Sequence, residues 1–454
     1  MQDSPCNSTT TTTTHKVAVI GAGASGLVAS RELTLAGHKV TVFERNSQIG
    51  GTWLYDPNTD SDPLSTDPSR SIVHTSLYKS LRTNLAREAM GFRDYPFLIS
   101  KKNGRDPRRY PGHKEVLSYL QDFASEFESS ELIRFEREVI WVGLTGQGKL
   151  VVKSVGKGRD VAEAEEFSAV VVCNGYYTKP NVAEIPGIDV WPGEQIHSHN
   201  YRVPDPFSKK VIVLIGNSHS SYDISREIAT VAKEVHVASR SYNNNTPTKE
   251  LGYNNLYLRS MVKGANKDGS VVFQDGDSIH VDVILHCTGY KFDFPFLDTR
   301  LSVNVDDNRV GPLYQHVFPP QFAPWISFVG LPWKVLPFAL YELQSKWVAR
   351  VLSKQISLPS QEEMYSDIRA YYSRLDAVGV PKRYTHNVTD YHIGYHDWLA
   401  AQCGVPGLEK WRRQMSEATG LNRAIRPETY RDEWEDDHLV LLAHEDFRQY
   451  FPSS

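Results

Sequence analysis

The sequence lacks the features that mark several common classes of protein. Its 454 residues include only four cysteines, which are far apart and form no Cys-x-x-Cys pair, and this argues against a disulfide framework or a thiolate metal site. No apolar run approaches the roughly 20 residues of a membrane-spanning helix, and a formal net charge of −4 provides no basic field for nucleic acid. We therefore expect a soluble globular protein of the reducing cytoplasm, with no nucleic-acid partner and no membrane span.

The N-terminal segment also lacks an apolar core. Residues 1–15 are rich in serine and threonine and contain no arginine, so they are not typical of a secretory signal peptide. We predict a disordered tail over residues 1–15. The whole length is enough for about three units of ~150 residues each.

A dinucleotide-binding pattern follows this tail. A β-branched run predicts a buried strand, and the glycines after it, Gly21, Gly23 and Gly26, match G-x-G-x-x-G. In this pattern the first glycine makes the tight turn, the second admits a pyrophosphate and the third lets a helix pack on the strand. The helix N-terminus offers free N–H groups to the phosphates. A second strand, Lys39–Phe43, ends at Glu44, an acid placed to bind ribose hydroxyls.

A second glycine pair indicates which dinucleotide binds at this turn. Gly50 and Gly51 come soon after Glu44, and such a pair directly after the ribose acid is typical of FAD proteins rather than NAD dehydrogenases. The alternative is a structural βαβ unit that holds no ligand. We predict an FAD site whose contacts from this part of the chain are Gly21, Gly23, Ala24, Ser25, Gly26, Glu44, Arg45, Gly51, Thr52 and Trp53.

A depleted version of the same pattern lies near the middle of the chain. A strand predicted at Lys209–Ile215 ends in Gly216, but the second and third glycines are replaced by Ser218 and Ser221. Serine costs some clearance, yet it is small and its hydroxyl can itself bond a phosphate. The pattern therefore predicts a second nucleotide site.

The end of the next strand indicates which nucleotide this second turn holds. The predicted strand Glu234–Ala238 is followed by Ser239 and Arg240 instead of an acid. An acid would repel a 2′-phosphate, whereas an arginine clamps it in a planar fork. We predict an NADPH site formed by Gly216, Asn217, Ser218, His219, Ser220, Ser221, Ser239 and Arg240. The alternative is a structural turn beside a solvated Arg240.

Two such sites in one chain predict an α/β fold with two Rossmann-like dinucleotide-binding domains. We expect residues 16–203 to form the first part of an FAD-binding domain and residues 204–291 an NADPH-binding domain inserted into it. Residues 292–454 would complete the FAD-binding domain and add C-terminal helices. This organisation predicts that hydride passes from NADPH to FAD.

The segment before the second turn resembles a family fingerprint. Trp191–Arg202, WPGEQIHSHNYR, is similar to the F-x-G-x-x-x-H motif of flavin-containing monooxygenases, in which an aromatic residue stands four positions after the histidine. Pro381–His386, PKRYTH, resembles the plant branch of that family, which oxygenates sulfur in glucosinolate side chains or alkyl-cysteines. Other segments similar to the family are Leu81–Phe97, Val171–Pro180, Leu285–Tyr290 and Pro337–Leu352.

The resemblance implies a function and further site residues. It implies an NADPH- and O₂-dependent flavin monooxygenase of plant secondary metabolism, in which the C4a-hydroperoxide of the flavin oxygenates a small thioether to a sulfoxide. Asn84 is implied as the catalytic residue, because a neutral amide donates hydrogen bonds without supplying a proton. The further FAD contacts that the resemblance implies are Thr83, Asn84, Leu85, Val139 and Gln344. The protein would act as a monomer or homodimer.

Several departures from the family pattern leave alternatives open. Trp191 stands where the family has phenylalanine, and Cys173-Asn174 stands where Ala-Thr is usual. N-oxygenases, auxin-forming oxygenases and Baeyer–Villiger monooxygenases belong to the same superfamily, although the last carry tryptophan at the position of Tyr201. A catalytically silent flavin-binding module is an alternative of another class. A disulfide reductase would need two close cysteines, which the chain does not have.

Three other features have structural interpretations. We interpret His197 in the fingerprint as a residue that orients backbone, not as a general base. His392 and His396 have the i, i+4 spacing of helical metal ligands, but Gly394 disfavours a helix there, and we predict no metal site. The charged run RDEWEDD, residues 431–437, is predicted to be a solvated face.

Overall fold

The chain forms two compact units in a computed structural model that describes residues 13–100, 102–242, 244 and 246–450, so that most of the predicted tail lies outside it. The first unit contains the chain up to Gly51, Arg82–Gly175 and the chain from Phe294 onward. The second unit contains Thr52–Leu81 and Tyr176–Asp293. The predicted boundaries at 203/204 and 291/292 concern cofactor binding and stay predictions, because compactness does not show which residues hold a ligand.

The described helices are distributed unevenly along the chain. The C-terminal part of the first unit is the most helical, and Pro337 at the start of its longest buried helix suits a first helical turn, where no N–H partner is lost. The helices are α1 Ala24–Leu35, α2 Arg87–Met90, α3 His113–Glu126, α4 His219–Ala229, α5 Pro337–Leu352, α6 Gln361–Ala377, α7 His392–Gln402, α8 Lys410–Ile425 and α9 Asp437–Phe447.

The strands of the described residues are mostly short. They are β1 Lys16–Ile20, β2 Lys39–Phe43, β3 Ile133–Arg134, β4 Arg137–Leu144, β5 Leu150–Gly156, β6 Glu163–Phe167, β7 Ala169–Val172, β8 Lys179–Pro180, β9 Glu194–His197, β10 Val211–Ile215, β11 Glu234–Ala238, β12 Thr248–Lys249, β13 Leu256–Arg259, β14 Val262–Ala265, β15 Ser270–Phe273, β16 Ser278–His280, β17 Val283–His286, β18 Tyr290–Lys291, β19 Asn304–Asp306, β20 Arg309–Gly311 and β21 Ile326–Phe328.

The first unit is built on a parallel sheet with the strand order β21-β7-β1-β2-β3. Four of the five residues of β1 are buried, as in a strand covered on both faces. Because the strands are parallel, their carboxyl ends lie at one edge, where open α/β sheets bind ligands. Gly21, Glu44, Cys173 and Gly330 therefore lie at or just beyond that edge. A separate antiparallel sheet joins β4, β5 and β6.

The second unit is built on a six-stranded sheet with the order β12-β13-β11-β10-β17-β9, parallel except for β12. Alternate residues of its strands face two different apolar layers. Ile212, Leu214, Val235 and Val237 pack with Ile224 and Ile228 of α4. Val213, Ile215, Ala238 and Ile284 pack with Val262, Val271 and Phe273 of the antiparallel sheet β14-β15-β16. Burial on both faces explains the nearly continuous apolar runs.

The C-terminal helices share an apolar core with the start of α2 and α5. The buried residues of this core include Ala86, Ala89, Tyr110, Leu336, Trp411, Met415, Tyr430, Leu439 and Phe447. The loop before α2, which contains Asn84, is thus followed directly by residues of the C-terminal core. In the part of the chain that the structure describes, no helix combines the length and the apolar character that crossing a membrane requires.

Of the three strands predicted with bounds near the two turns, two agree with the structure and one does not. Strands Lys39–Phe43 and Glu234–Ala238 are observed as predicted, but β10 begins at Val211, because Lys209 adopts a left-handed φ of 61° that ends the preceding turn. The prediction that Gly394 disfavours a helix was wrong as a local structure prediction. Helix α7 runs through it, and burial of Tyr395 and Leu399 outweighs the propensity cost of about 1 kcal/mol.

Candidate cofactor and active site

The first predicted nucleotide turn joins β1 to α1 and depends on its first glycine. Gly21 has a φ of 101°, which favours glycine, and a Cβ there would lie 2.7 Å from the carbonyl oxygen of Cys173. The Gly21 amide donates to the Phe43 carbonyl at 2.8 Å, so the turn is bonded to the next strand. A side chain at this position would therefore strain the turn and strike β7.

The third glycine of this turn sets the distance between helix and strand. A Cβ at Gly26 would lie 1.8 Å from the carbonyl oxygen of Gly21, far inside any van der Waals contact. The residue is therefore obligatory for packing of α1 on its own turn. Helix α1 begins after Gly23 with no side chain capping its N-terminal N–H groups, which leaves these donors for an anion.

The second glycine of the turn, Gly23, lies against Gly51 of the later glycine pair. A Cβ at Gly51 would lie 2.9 Å from the Cα of Gly23, and Gly51 has a φ of 54°. The Gly50 amide donates to the Ala22 carbonyl at 3.1 Å. Two backbone segments are thus in contact with no side chain between them, and the bare surface that results is suited to the close approach of a pyrophosphate.

Glu44 has a structural role that the sequence pattern did not reveal. Its carboxylate accepts the Ala22 amide at 2.7 Å through Oε2 and the Asn46 amide at 2.8 Å through Oε1. Each carboxylate oxygen has a second lone pair, so a ribose hydroxyl could still donate to it. Glu44 therefore fixes the glycine turn as well as standing at the expected ribose position.

Three other predicted flavin contacts of this unit, Arg45, Val139 and Gln344, lie outside the glycine turn. Arg45 is half-buried, and burial lowers the pKa of its guanidinium. Val139 lies on β4, which starts where the Arg137 amide donates to the Glu44 carbonyl at 2.8 Å. Gln344 is fully buried: its side-chain oxygen accepts the Gly330 amide at 2.9 Å and its amide donates to Tyr395 Oη at 3.0 Å. These bonds indicate that the side chain of Gln344 positions Gly330.

The second predicted turn repeats the geometry of the first at its first glycine. Gly216 has a φ of 108°, and a Cβ there would lie 2.7 Å from the carbonyl oxygen of Cys287. Its amide donates to the Ala238 carbonyl at 2.9 Å. Helix α4 begins after Ser218, again with no side-chain cap, and Ser221 is fully buried although it carries a side chain. The turn is therefore a Rossmann-type turn in spite of its two serines.

The solvent side of the second turn is open. Residues 217–220 are exposed, and Arg240 at the end of β11 is exposed as well. Within the described residues, the guanidinium of Arg240 makes no hydrogen bond or ion pair. Ser239 Oγ is bonded to Ser241 Oγ at 2.7 Å, so this side chain is turned toward its own loop. Among the residues that the structure describes, Arg240 is therefore an exposed cation without a protein partner, just after the strand that follows α4.

The fingerprint residues of the second unit have structural roles. The Trp191 ring covers Gly193, where a Cβ would meet the ring at 2.2 Å, and Tyr201 Oη donates to Glu227 Oε2 of α4 at 2.8 Å. His197 Nδ1 accepts the His199 amide at 3.0 Å. Burial lowers the pKa of His197 to about 3, so its imidazole is neutral and a weak base. The motif therefore lies on and beside β9 of the sheet that carries the second turn, and it is bonded to α4 through Tyr201.

The loop that contains Asn84 is held on both sides of this residue. The Thr83 amide donates to the Pro111 carbonyl at 2.9 Å, and Thr83 Oγ donates to the Leu85 carbonyl at 2.9 Å. Asn84 itself is half-buried, and its side-chain amide makes no hydrogen bond to any described residue. An uncommitted neutral amide on a fixed loop is suited to donate to a ligand.

The charged run at residues 431–437 is largely exposed, as predicted: Asp432, Glu433, Glu435 and Asp437 face solvent, and none of the seven residues is buried. Arg431 Nε donates to the Thr83 carbonyl at 3.0 Å. Arg82 forms a two-pronged ion pair with Asp432, with both N···O distances 2.8 Å. The sequence prediction did not include two contacts of this run with distant residues, the Thr83 carbonyl and the Arg82 guanidinium.

The described cysteines are buried free thiols. They are Cys173, Cys287 and Cys403. Burial raises the pKa of Cys173 and of Cys287 to about 12, so neither is a reactive thiolate at neutral pH. No disulfide or cysteine pair that a disulfide reductase would need occurs in the described residues. Neither do three His, Cys, Asp or Glu side chains come together there as a metal site would require.

Comparisons with known proteins extend the match beyond the two turns. Residues 14–245 and 241–409 match the family model for flavin-binding monooxygenase-like proteins. Flavin-containing monooxygenase FMO GS-OX-like 3 of Arabidopsis thaliana is 57% identical over 442 residues, which cover 97% of this chain and 98% of that protein. The predicted resemblance is thus found over nearly the whole chain.

Solved structures show the same fold. S-allyl-L-cysteine S-oxygenase from Allium sativum is 59% identical, with a TM-score of 0.94 over 96% of this chain and 99% of that chain. Tmm from Pelagibacter sp. strain HTCC7211 is 25% identical, with a TM-score of 0.76 over 92% of this chain and 93% of that chain. The predicted α/β fold class, with two Rossmann-like sheets, is confirmed.

Proposed function

Because this chain belongs to the flavin-binding monooxygenase-like family, we propose that it uses FAD, NADPH and O₂ to oxygenate the sulfur of a small thioether. The prediction of an enzyme of the flavin-containing monooxygenase class is confirmed. The observation that carries the choice of sulfur is the 59% identity, over 96% of the chain, to an enzyme that oxygenates the sulfur of S-allyl-L-cysteine. The overall reaction would convert thioether, O₂, NADPH and H⁺ to sulfoxide, water and NADP⁺.

The residues of the first unit fit FAD. We assign the pyrophosphate to the N-terminus of α1, where Gly21, Gly23 and Gly26 leave bare backbone and uncapped N–H groups. We assign a ribose to Glu44, which keeps free lone pairs. The remaining assigned contacts of this unit are Ala24, Ser25, Arg45, Gly51, Thr83, Asn84, Leu85, Val139 and Gln344. Thr52 and Trp53, which directly follow Gly51 in the chain, are counted with the second unit and stay predictions from the sequence. For Gln344 we favour an indirect contribution through Gly330.

The residues of the second unit fit NADPH. The uncapped N-terminus of α4 supplies N–H donors for a pyrophosphate, and the exposed hydroxyl of Ser218 adds a further donor. Arg240 supplies a cation for the 2′-phosphate where an NAD enzyme carries an acid. The other assigned contacts are Gly216, Asn217, His219, Ser220, Ser221 and Ser239.

The protein's share of the chemistry is positioning and exclusion of water. Bound FAD supplies the redox chemistry, namely the acceptance of hydride from NADPH and the activation of O₂ for transfer to sulfur. Asn84 donates hydrogen bonds toward the reacting region and adds no proton source. Its neighbours Thr83 and Leu85 keep the loop rigid through the Thr83 hydroxyl. No strong acid or base is needed from the chain.

The experiment that tests this function measures where the oxygen goes. The purified yellow protein is incubated with NADPH and ¹⁸O₂, and with S-allyl-L-cysteine, a methylthioalkyl glucosinolate or a tertiary amine. We expect one ¹⁸O atom in the sulfoxide and close to one sulfoxide per NADPH consumed. Oxygenation of the amine alone, or NADPH oxidation that yields only hydrogen peroxide, would refute S-oxygenation.

A substitution tests the assignment of Asn84. Asn84→Ala removes the donor without adding charge, so flavin content and flavin reduction by NADPH should be unchanged while hydrogen peroxide released per NADPH rises by roughly tenfold. Asn103→Ala, at an exposed turn of the same unit, is the matched control. Normal coupling in Asn84→Ala would remove this residue from the site.

The proposal also covers the metabolic role, the location and the oligomeric state of the protein. The curated relative at 57% identity is a plant protein, and we propose a role in plant secondary metabolism. We also propose a cytoplasmic location and a monomeric or homodimeric state. A fluorescent fusion observed in leaf cells and light scattering of the purified protein would test the location and the state separately.

A further inference from the structure

The charged run after α8 is bonded directly to the loop that contains Asn84. We refer to Arg431–Asp436 as the C-terminal clasp. Arg431 Nε donates to the Thr83 carbonyl at 3.0 Å, on the residue immediately before Asn84. A guanidinium nitrogen of Arg82 donates to the Arg431 carbonyl at 3.1 Å. The clasp and the loop segment therefore each donate a hydrogen bond to the other.

Charge reinforces this attachment. Arg82 is mostly buried and forms the two-pronged pair with Asp432, while its Nε donates to the Tyr110 carbonyl at 2.9 Å. The hydrogen bonds from Arg82 lower the pKa of Asp432, which keeps the carboxylate ionised. Arg109, near the same loop, pairs with Asp436 through both carboxylate oxygens, at 2.5 and 2.9 Å. Two arginines beside the Asn84 loop are therefore bound to one short segment.

The clasp is itself held in place by the C-terminal core. Asn422 of α8 donates to the Glu433 carbonyl at 2.6 Å and to the Tyr430 carbonyl at 3.3 Å. Tyr430, which precedes the clasp, is buried and meets the Tyr110 ring edge-on at 5.8 Å between centroids. The clasp is thus bonded to α8 and adjoins the C-terminal core, and it links the Asn84 loop to that core.

These contacts have one consequence for Asn84. The Thr83 carbonyl, in the peptide group directly before Asn84, accepts from Arg431. The Leu85 carbonyl, in the peptide group after Leu85, accepts from the Thr83 hydroxyl, so the backbone is bonded on both sides of Asn84. We infer that Arg431 and Asp432 are positioning residues, which fix the Asn84 loop so that the amide points consistently at the reacting region. This inference rests on the proposed function, in which Asn84 is the donor. No clasp residue is among the cofactor contacts assigned above, so the clasp would act through the Asn84 loop.

The experiment compares charge-neutral variants within the clasp. Arg431→Gln removes the bond to Thr83, and Asp432→Asn removes the charge that pairs with Arg82. Glu435→Gln is the matched control, because Glu435 is 79% exposed and pairs with Arg426, away from the loop. Arg431→Lys keeps the charge but loses the Nε donor, and serves as the milder variant should Arg431→Gln fold poorly.

Two measurements are made on each purified holoenzyme. The first is hydrogen peroxide released per NADPH consumed, beside flavin content and the rate of flavin reduction. The second is hydrogen exchange of the Thr83 and Arg87 amides, which donate to the Pro111 and Arg109 carbonyls. We expect roughly tenfold faster exchange and a several-fold rise in peroxide for Arg431→Gln and Asp432→Asn, with flavin content and reduction unchanged.

The outcomes separate this inference from the proposed function. Unchanged exchange and unchanged coupling in both variants would overturn the clasp, and so would equal changes in Glu435→Gln. Loss of flavin together with slower reduction would show a merely structural role and would also overturn it. If the wild-type protein forms no sulfoxide, the proposed function fails, yet the exchange of Thr83 still decides whether the clasp orders the loop.

Discussion

The two nucleotide turns have the same backbone at their first glycine and differ at their third position. Gly21 and Gly216 have φ values of 101° and 108°, and a Cβ at either would lie 2.7 Å from a cysteine carbonyl of the neighbouring strand. A Cβ at Gly26 would lie 1.8 Å from Gly21 O, whereas the equivalent Ser221 carries its side chain and stays fully buried. The glycine fingerprint therefore combines two separate requirements. The first glycine is needed for the turn, and the third is needed for packing of the helix.

This difference shows which positions of the pattern must be glycine for structural reasons. The first position is imposed by a neighbouring strand, so every turn of this type needs it. The third is imposed only where the helix lies against its own turn, and α4 leaves room for serine. The ends of the following strands differ as well. Glu44 binds the first turn through Ala22, whereas Arg240 makes no bond within the described residues and is available to a ligand.

The largest effect is expected at the third position of the first turn. Gly26→Ala should destabilise the protein by about 3 kcal/mol or more and abolish retention of flavin, because backbone must move to admit the methyl group. Ser221→Ala should change the free energy of unfolding by less than about 1 kcal/mol. Thermal melting and the ratio of flavin to protein absorbance measure both. Gly420→Ala, within helix α8, is the matched control for a new methyl group on a helical glycine, since nothing lies within 4 Å of a Cβ placed there.

A result that reversed this order would break the comparison. If Gly26→Ala kept its flavin while Ser221→Ala lost stability, the close helix contact would belong to the second turn.

The next effect sharpens the comparison of the two strand ends. Arg240→Ala should raise KM for NADPH by about 5- to 150-fold, or roughly 1–3 kcal/mol of lost charge-assisted bonding, and leave KM for NADH unchanged. Steady-state kinetics with both coenzymes measure this. Lys267→Ala, at an exposed turn of the same unit, should affect neither coenzyme. An equal rise for both coenzymes would show that Arg240 does not bind the 2′-phosphate.

The smallest effect concerns the cysteine behind each turn. Burial raises the pKa of Cys173 and Cys287 from the ordinary 9.0 to about 12. The unfolded chain releases these protons at lower pH than the folded chain, so stability is complete below pH 9 and falls as pH rises toward 12. By pH 9.5 we expect a loss of about 1 kcal/mol per thiol.

Urea unfolding of the wild type at pH 7.5 and 9.5, with Cys173→Ala and Cys287→Ala alongside, measures this dependence. Each variant should lose a similar share of it. A change confined to one variant would show that the two turns differ in burial behind the first glycine.

The sequence predicted the parts of the site that depend on short chain segments. The glycines, the strands beside them and the acid or arginine at the next strand end are all within about 30 residues of one another. The double role of Glu44 was missed, because an acid after a strand does not show which amides reach it. Gln344 stays a predicted flavin contact, and the sequence did not show that its side-chain amide is bonded to Gly330 and Tyr395.

By itself, the sequence determined two strand–turn–helix units, their different strand ends and the resemblance to flavin monooxygenases, because each depends on residue types at close spacing. Only the tertiary structure decided that the run after α8 holds the Asn84 loop, since Arg82 and Asp432 are 350 positions apart. No local pattern specifies such a pair. A charged run looks the same in the sequence whether it is only solvated or, as here, also binds an arginine and a carbonyl from a distant segment.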